Sequence, residues 1–561
     1  VPIEQVRTLL FLGLAAVSLL IWRAWQLDHA PPPPPPASAA TAQTRPGGAP
    51  PGVPDAATDG QRAAAPGIPA APATPEAAAA PSETAPAPIE VRTDVLRVLI
   101  DPRGATLARL ELLDYPVAQD QPEQPFALFD ATGPARYAAQ SGLIGADGLP
   151  THHAMFRASA TRYRLTEGAD ELRVDLTWRG EDGLEVVKSY RFQRGSYLIE
   201  LSETIRNAGP RPLTARLYAQ FQRRQVKVKR SFTGNRTYSY TGGVISTPEK
   251  LYEKIKFKDM AKAPLARDSR GGWVAMIQHY FAGAWIPPAD AESRFYSKAL
   301  GDGLFALGLI SAPVEVPAGG TGTLSVKLYA GPKIQKLLSA AAPHLERTVD
   351  YGWLWFISEP LFWLLQKLHG LFGNWGWAII VLTLMIKLVF FHLSATSYKS
   401  MARMRKMQPR ITQLRERYAG DRQRMNQAMM ELYKKEKINP LGGCLPIAVQ
   451  IPVFIALYWV LLESVELRQA PFMLWIQDLS NHDPYFVLPI LMGITMLLQQ
   501  RLNPPPPDPI QAKVMMALPF VFTFFFLFFP AGLVLYWFVN NVLSIIQQWV
   551  ITRKIVGPSS A

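Results

Sequence analysis

The sequence predicts a polytopic α-helical membrane protein with six spans, five of them forming a core, a large β-sandwich domain on the outer side of the membrane and a helical hairpin on the cytoplasmic side. Three patterns predict this. Apolar runs crowd the C-terminal part; about 250 residues before them alternate with period two; and a charged helical stretch of about 45 residues interrupts the runs after Leu393.

The totals agree with a mixed architecture. A chain of 561 residues, 48% hydrophobic and with net charge +14, has core enough for several domains but is too charged to lie wholly within a membrane. Its one cysteine, Cys444, excludes an intramolecular disulfide framework and argues against a cysteine-built metal site. Neither a metal site nor a catalytic residue is expected.

Residues 1–27 hold an apolar run, 8–22, between Arg7 and Arg23. It reads as a signal-peptide core or a membrane anchor, and the anchor is expected because no small-residue cleavage site precedes the six-proline block 31–36. Residues 28–88 are alanine, proline, glycine and serine with 17 of the chain's 50 prolines, a tether that cannot bury enough apolar area to fold. Residues 89–343 are the β-sandwich: Leu172, Val174, Leu176 and Trp178, and later Leu324, Val326 and Leu328, alternate along strands, and a short helix follows over 332–342. His152, His153 and His279 are scattered, and Glu200 and Glu203 point to opposite faces of one strand, so no reaction site is proposed here. The basic run Arg223, Arg224, Lys227, Lys229, Arg230 reads as a solvated strand face. Residues 344–373, with Trp353, Trp355, Phe356, Phe362 and Trp363 opposed by Glu359, Gln366 and Lys367, form an interfacial amphipathic helix with Pro360 in its first turn.

The span 374–394 contains the nineteen-residue run 375–393 (WGWAIIVLTLMIKLVFFHL), whose single charge is Lys387. At ~1.5 Å per residue Lys387 lies ~18 Å along the run, near the middle of a ~30 Å hydrocarbon core, where a charge costs at least ~2.5 kcal/mol. It should face protein or water, with Thr383 and Ser394 on its face; the alternative is a lysine that snorkels to the interface. Residues 395–440 are strongly basic, so by the positive-inside rule they are cytoplasmic and the β-domain lies outside. Arg403, Arg405, Lys406, Arg410, Arg415 and Arg417 form a face suited to anionic lipid or ribosomal RNA. Met404, Met407, Ile411, Leu414 and Tyr418 keep helical spacing, as do Met425, Met429 and Leu432 after the break at 419–421, so two helices pair as a hairpin. The methionines suit either varied apolar partners or ordinary seam packing. Further spans are 441–463, 485–500, 514–530 and 531–552, with an acidic outer loop 464–484, a basic inner loop 501–513 and a tail 553–561, giving both ends cytoplasmic. Tyr536, Asn540, Ser544 and Gln547 make one polar stripe on the last helix, and Gln450 lies between Pro446 and Pro452; with Lys387 and Thr383 they could line a wet basic recess.

The runs NPLGGCLP from Asn439, SVELRQAPF from Ser464, GNWGWAII from Gly373 and FPAGLVLYW from Phe529 resemble the YidC/Oxa family of membrane protein insertases, in the Gram-negative form with a large periplasmic domain. The resemblance covers essentially the whole chain. It implies a β-supersandwich in the periplasm and five core helices around a hydrophilic groove open to cytoplasm and lipid, which takes the polar tail of a nascent segment as its apolar part enters the bilayer. The family's groove arginine falls on Lys387, its threonine on Thr383, its glutamine on Gln450 and its paired aromatics on Tyr536 and Trp537. Lysine keeps the charge but lacks the planar fork of arginine, and His392 in place of a proline implies a straighter helix end. Expected partners are nascent membrane proteins, the Sec translocon, the phospholipid bilayer, and, through the basic hairpin, the ribosome and signal recognition particle components. Seven residues follow Lys554, which leaves ribosome contact to that hairpin. No cofactor is expected, since the sequence holds no GxxxxGK[ST] phosphate loop. Two other readings are a small-solute or ion transporter using Lys387 as a relay, and a periplasmic carbohydrate enzyme anchored by helices.

Overall fold

The computed structural model describes residues 87–181, 183–226, 239–418, 420–436, 445–503 and 509–556. The expectations for residues 1–27, most of the 28–88 linker, Lys227, Lys229, Arg230, Cys444, the side chain of Arg405 and the proline block 504–507 fall outside them. The chain divides into two compact units: a β-rich one ending at Trp355 that also takes in Trp459–Ala470, and a helical one formed by Phe356–Tyr458 and the chain from Pro471 onwards.

The β-rich unit is a sandwich of an 11-stranded and a 9-stranded sheet, built almost wholly from antiparallel neighbours. Alternation explains it. In Leu198–Asn207 the residues Ile199, Leu201 and Ile205 are buried while Glu200, Ser202 and Thr204 face outward, the pattern of a sheet packed on one side. The same unit holds two short helices, α1 (Phe257–Lys262) and α2 (Gln335–Ala341).

Two charged groups in the sandwich depart from expectation. Glu200 and Glu203 do sit on opposite faces, but Glu203 is fully buried and pairs with buried Lys188 at 3.2 Å. Arg223 is not on a solvated face: it is 7% exposed, donates to Gln278 Oε1 at 2.6 Å and lies over the Tyr137 ring. Strand Leu213–Arg224 is covered on both sides near its end, so charge alternation there does not report solvent. The aromatic Tyr137 face and the amide of Gln278 replace the water that Arg223 loses.

In the helical unit, α3 (Trp355–Phe372) buries Phe362 and Leu365 and leaves Trp355, Phe356 and Trp363 exposed. It starts at Trp355, so Pro360 falls in its second turn rather than its first; proline's fixed φ suits a helix, and only its missing N–H is lost from the ladder. Asn374 then caps α4 (Trp375–Val389), its Oδ1 accepting from the Gly376 and Trp377 amides at 2.9 and 3.2 Å. Gly376 is obligatory there, because a Cβ would stand 1.9 Å from the Phe472 ring.

The run 375–393 is not one straight helix. α4 ends at Val389, α5 (Phe391–Arg417) follows, and the two axes bend by 67°. Phe390 leaves helical geometry at φ −89°, ψ 10°, within a β-branched and aromatic stretch of weak helix propensity. The end of this helix, where His392 stands, is thus bent. The remaining helices are α6 (Arg422–Lys435), α7 (Leu445–Glu463), α8 (Val487–Leu502), α9 (Pro509–Phe526) and α10 (Ala531–Val556). Among the described residues α10 alone is long and apolar enough to cross a membrane by itself; the α4–α5 pair is so only as a broken span, and the other apolar helices are shorter.

α5 and α6 pack through Ile411 and Tyr433, with Met404, Met407, Met429 and Leu432 around them. The methionines at 404, 407 and 429 therefore fill a helix–helix seam. Met425 is half-buried, Arg403, Lys406, Arg410 and Arg417 are exposed and Arg415 is half-buried, with Arg410 paired to Glu436 at 3.0 Å.

Candidate functional site

Five helix segments converge on a recess of about 260 Å³, α8 supplying Gln499. α4 supplies Lys387, the start of α5 supplies Ser394, Ser397 and Tyr398, α7 supplies Gln450 and Phe454, and α10 supplies Tyr536, Trp537, Asn540 and Ser544. The bend at Phe390 matters here. It turns α5 so that Ser394 still shares the recess with Lys387, although the two no longer lie on one straight helix face.

The hydrogen bonds are specific. Lys387 Nζ donates to Ser544 Oγ at 2.7 Å, and the Ser544 hydroxyl donates in turn to the Asn540 carbonyl one turn back, also at 2.7 Å. Gln450 Nε2 donates to Asn540 Oδ1 at 2.6 Å, tying α7 to α10. The polar stripe of α10 thus works because positions 540 and 544 are one turn apart and point the same way. Phe454 packs on Tyr536 and Trp537, with ring centroids 6.0 and 4.7 Å away, and the three rings give the recess its apolar part.

No carboxylate lines this recess, and none lies within ion-pair distance of Lys387 among the described residues. The ammonium has three donors and, among the described residues, one acceptor. A space of this size holds a side chain with several waters, at ~30 Å³ per water, but not a helix ~10 Å across. It can therefore accept an extended, acceptor-bearing chain.

Not every expected residue reaches the recess. Thr383 is buried and donates to the Ile379 carbonyl of its own helix at 2.6 Å, so it satisfies itself rather than the site. Gln547 reaches the Phe391 carbonyl at 3.4 Å and braces the bend instead. Conversely, Tyr398, Met401, Gln499, Asn503 and Asn541 line the recess although no sequence pattern marks them as a group. Asn541 follows Asn540 in an Asn-Asn pair, which was a legible signal; Gln499 and Asn503 sit at a helix end where polar residues are ordinary.

Residues 88–364 match the family described as YidC periplasmic domain, and residues 367–558 match the family described as 60Kd inner membrane protein. A protein of Methylococcus capsulatus named membrane protein insertase YidC is 53% identical over 555 residues, covering 98% of each chain. Its namesake in Thioalkalivibrio sulfidiphilus is 50% identical over 571 residues, covering 98% of this chain and 99% of the other. A solved structure described as an active YidC insertase with the first transmembrane domain resolved overlaps 83% of this chain and 92% of that one, at 18% identity and a TM-score of 0.37.

Proposed function

This chain belongs to the YidC family of membrane protein insertases, and from that premise we propose that it inserts nascent membrane proteins by letting a polar tail rest against Lys387 in the recess while the attached apolar segment partitions into lipid. It is an inner-membrane insertase with a periplasmic β-sandwich domain. One observation carries the mechanism: an ammonium in a polar recess, held by a hydroxyl and without a carboxylate partner among the described residues.

The energetics favour partition as the driving force. Burying twenty apolar residues contributes many times the ~2.5–3.5 kcal/mol of carrying one charge across the hydrocarbon. The recess lowers that barrier, with Gln450, Asn540 and Ser544 standing in for lost water and the Phe454, Tyr536 and Trp537 wall guiding the apolar part. On this reading the chain makes six spans with both ends cytoplasmic, supported by the basic residues of 395–440 and 501–513 and the acidic 464–484. The exposed arginines of α5 serve the ribosome, signal recognition particle components or anionic headgroups, the protein also acts as a folding chaperone, and some substrates arrive through the Sec translocon.

The test is insertion of a small membrane protein with an acidic tail into proteoliposomes. Lys387→Arg should retain activity, Lys387→Leu should lose at least tenfold and Lys387→Glu more. Equal insertion by wild type and Lys387→Leu would remove the charge from the mechanism.

A further inference from the structure

The β-rich unit begins with strand Ile89–Arg92, at one end of the 11-stranded sheet. Strand Arg162–Arg164 runs parallel to it on one side, Leu96–Asp101 antiparallel on the other, and Thr106–Pro116 lies beyond. Register decides which side chains stand together. Arg164 lies beside Arg92, Arg92 opposite Arg97, and Arg97 opposite Glu111. The neighbouring row on the same face reads Arg162, Glu90, Leu99, Arg109 and, one strand further, Asp130. This is the outward face, because the alternate residues Ile89, Val91, Leu96 and Val98 are buried behind it.

Stability alone does not explain the pattern. Like charges directly opposite on paired strands are destabilising, and here three arginines stand in line over ~10 Å. Some of the charge is used: Arg97 and Arg109 hold Glu111 through their Nε atoms at 2.6 and 2.7 Å, and Arg109 also holds Asp130 at 3.0 Å. The rest is not. Arg92, Arg162 and Arg164 are exposed, and none of them has an ion pair or side-chain hydrogen bond among the described residues. Within the two rows Glu90 is the one carboxylate next to them. Asp120 and Glu123 border a hollow beside Arg97 and Arg109, so the unpaired positive charge is concentrated at the Arg164 edge.

The chemistry of the face narrows its partner. Guanidinium groups match phosphate with paired N–H donors. A protein interface would add an apolar or aromatic centre, but no large apolar side chain of these four strands is exposed. What remains is a flat row of cations, suited to a surface of phosphates, and the chain belongs to an inner-membrane family.

We propose that Arg92, Arg162 and Arg164 dock the β-rich unit reversibly onto an anionic phospholipid surface, their guanidinium groups on headgroup phosphates. With no apolar side chain to insert, the contact is electrostatic and salt-sensitive. It goes beyond the insertion mechanism and does not depend on the Lys387 recess.

The experiment uses the full chain in nanodiscs. Cys444→Ser with Thr166→Cys places a fluorophore two residues beyond Arg164, and a nitroxide on the lipid headgroups is the quencher. Discs of phosphatidylcholine alone are compared with discs of phosphatidylcholine and phosphatidylglycerol in equal parts. Quenching at least threefold stronger in the anionic discs is expected, and about 0.5 M salt should remove the difference. Arg92→Gln with Arg164→Gln should reduce it and Arg92→Glu with Arg164→Glu abolish it, at ~fivefold in affinity for each arginine removed. Circular dichroism of each variant confirms folding. No quenching in either disc, equal quenching in both, a glutamate variant that behaves as its parent, or a response to the hairpin variant Arg403→Glu with Arg410→Glu in place of the sheet variants would overturn the proposal. The first of these outcomes, with insertion lowered by the sheet variants, would assign the row to an acidic protein instead.

Discussion

Lys188 in the sandwich and Lys387 in the helical unit are both drawn away from bulk water, yet their surroundings are opposite. Lys188 Nζ meets Glu203 at 3.2 Å, the Gly104 carbonyl at 2.8 Å and the Ser141 carbonyl at 3.0 Å, so each of its three donors is used. Burial pushes it below the ordinary lysine value, with Glu203 opposing. Lys387 has one hydroxyl and a cavity. The difference teaches how to tell a structural charge from a working one: the first is saturated, and the second keeps donors for something that arrives. Lys333 follows the structural pattern, holding Glu463 and the Thr348 carbonyl, each at 3.2 Å.

The contrast is broken most severely at Lys188. Glu203→Leu leaves a buried ammonium unpaired and should destabilise the sandwich by ~3–5 kcal/mol, whereas Lys188→Met with Glu203→Leu should recover most of it. Hydrogen exchange across Leu184–Gln193 and Leu198–Asn207 in the full chain measures both. A double variant no more stable than the single one would mean that the pair is not the saturated unit described.

A buried, paired lysine is still felt by its neighbours, and His279 reports it. Its Nε2 donates to the Leu462 carbonyl at 2.8 Å, and burial, then Lys333, with Arg468 adding less, push its pKa from 6.5 down to about 4. The folded state thus keeps the ring neutral while the unfolded state binds a proton. The stabilisation is fully present above pH 6.5 and fades as pH falls towards 4, by ~2–3 kcal/mol. With the slower intrinsic amide exchange at lower pH divided out, protection over Trp459–Ala470 should fall from pH 7 to 5, and the dependence should flatten in His279→Asn. Equal slopes in the two proteins would assign it to another group.

Inside the recess, neutral bonds should matter least. Gln450→Leu removes the 2.6 Å contact to Asn540, a loss of ~1 kcal/mol or about fivefold in insertion rate. An effect as large as that of Lys387→Leu would mean that positioning by α7 contributes as much to insertion as the charge does.

Much of this was legible. Period-two alternation marks the sandwich because one face of each sheet is buried, and Lys387 stands out because nothing else in its run is charged. The stripe Tyr536, Asn540, Ser544 is helical spacing read directly. Other features escaped for physical reasons. Lys188 and Glu203 look like ordinary strand charges until the register of Leu184–Gln193 and Leu198–Asn207 places them opposite each other. Thr383 has the spacing of a site residue, but a threonine in a helix can satisfy itself on the preceding turn. The bend at Phe390 has no glycine or proline to announce it. Asp483 reads as an outer-loop charge, yet it is fully buried, accepting from the Leu488 amide at 2.7 Å and the Trp475 indole at 3.0 Å to fix the start of α8.

Lys387 works because it is unsaturated, on this mechanism, and Ser544→Asp tests that most directly by placing a carboxylate where the hydroxyl now accepts at 2.7 Å. Insertion into proteoliposomes would be compared for two versions of one substrate, with an acidic tail and with that tail neutralised. Ser544→Asp should fold and keep α4 and α10 together, but insert the acidic-tailed version at least tenfold more slowly while changing the neutral one much less. Unchanged insertion of the acidic-tailed substrate, with Lys387 now paired, would contradict the mechanism.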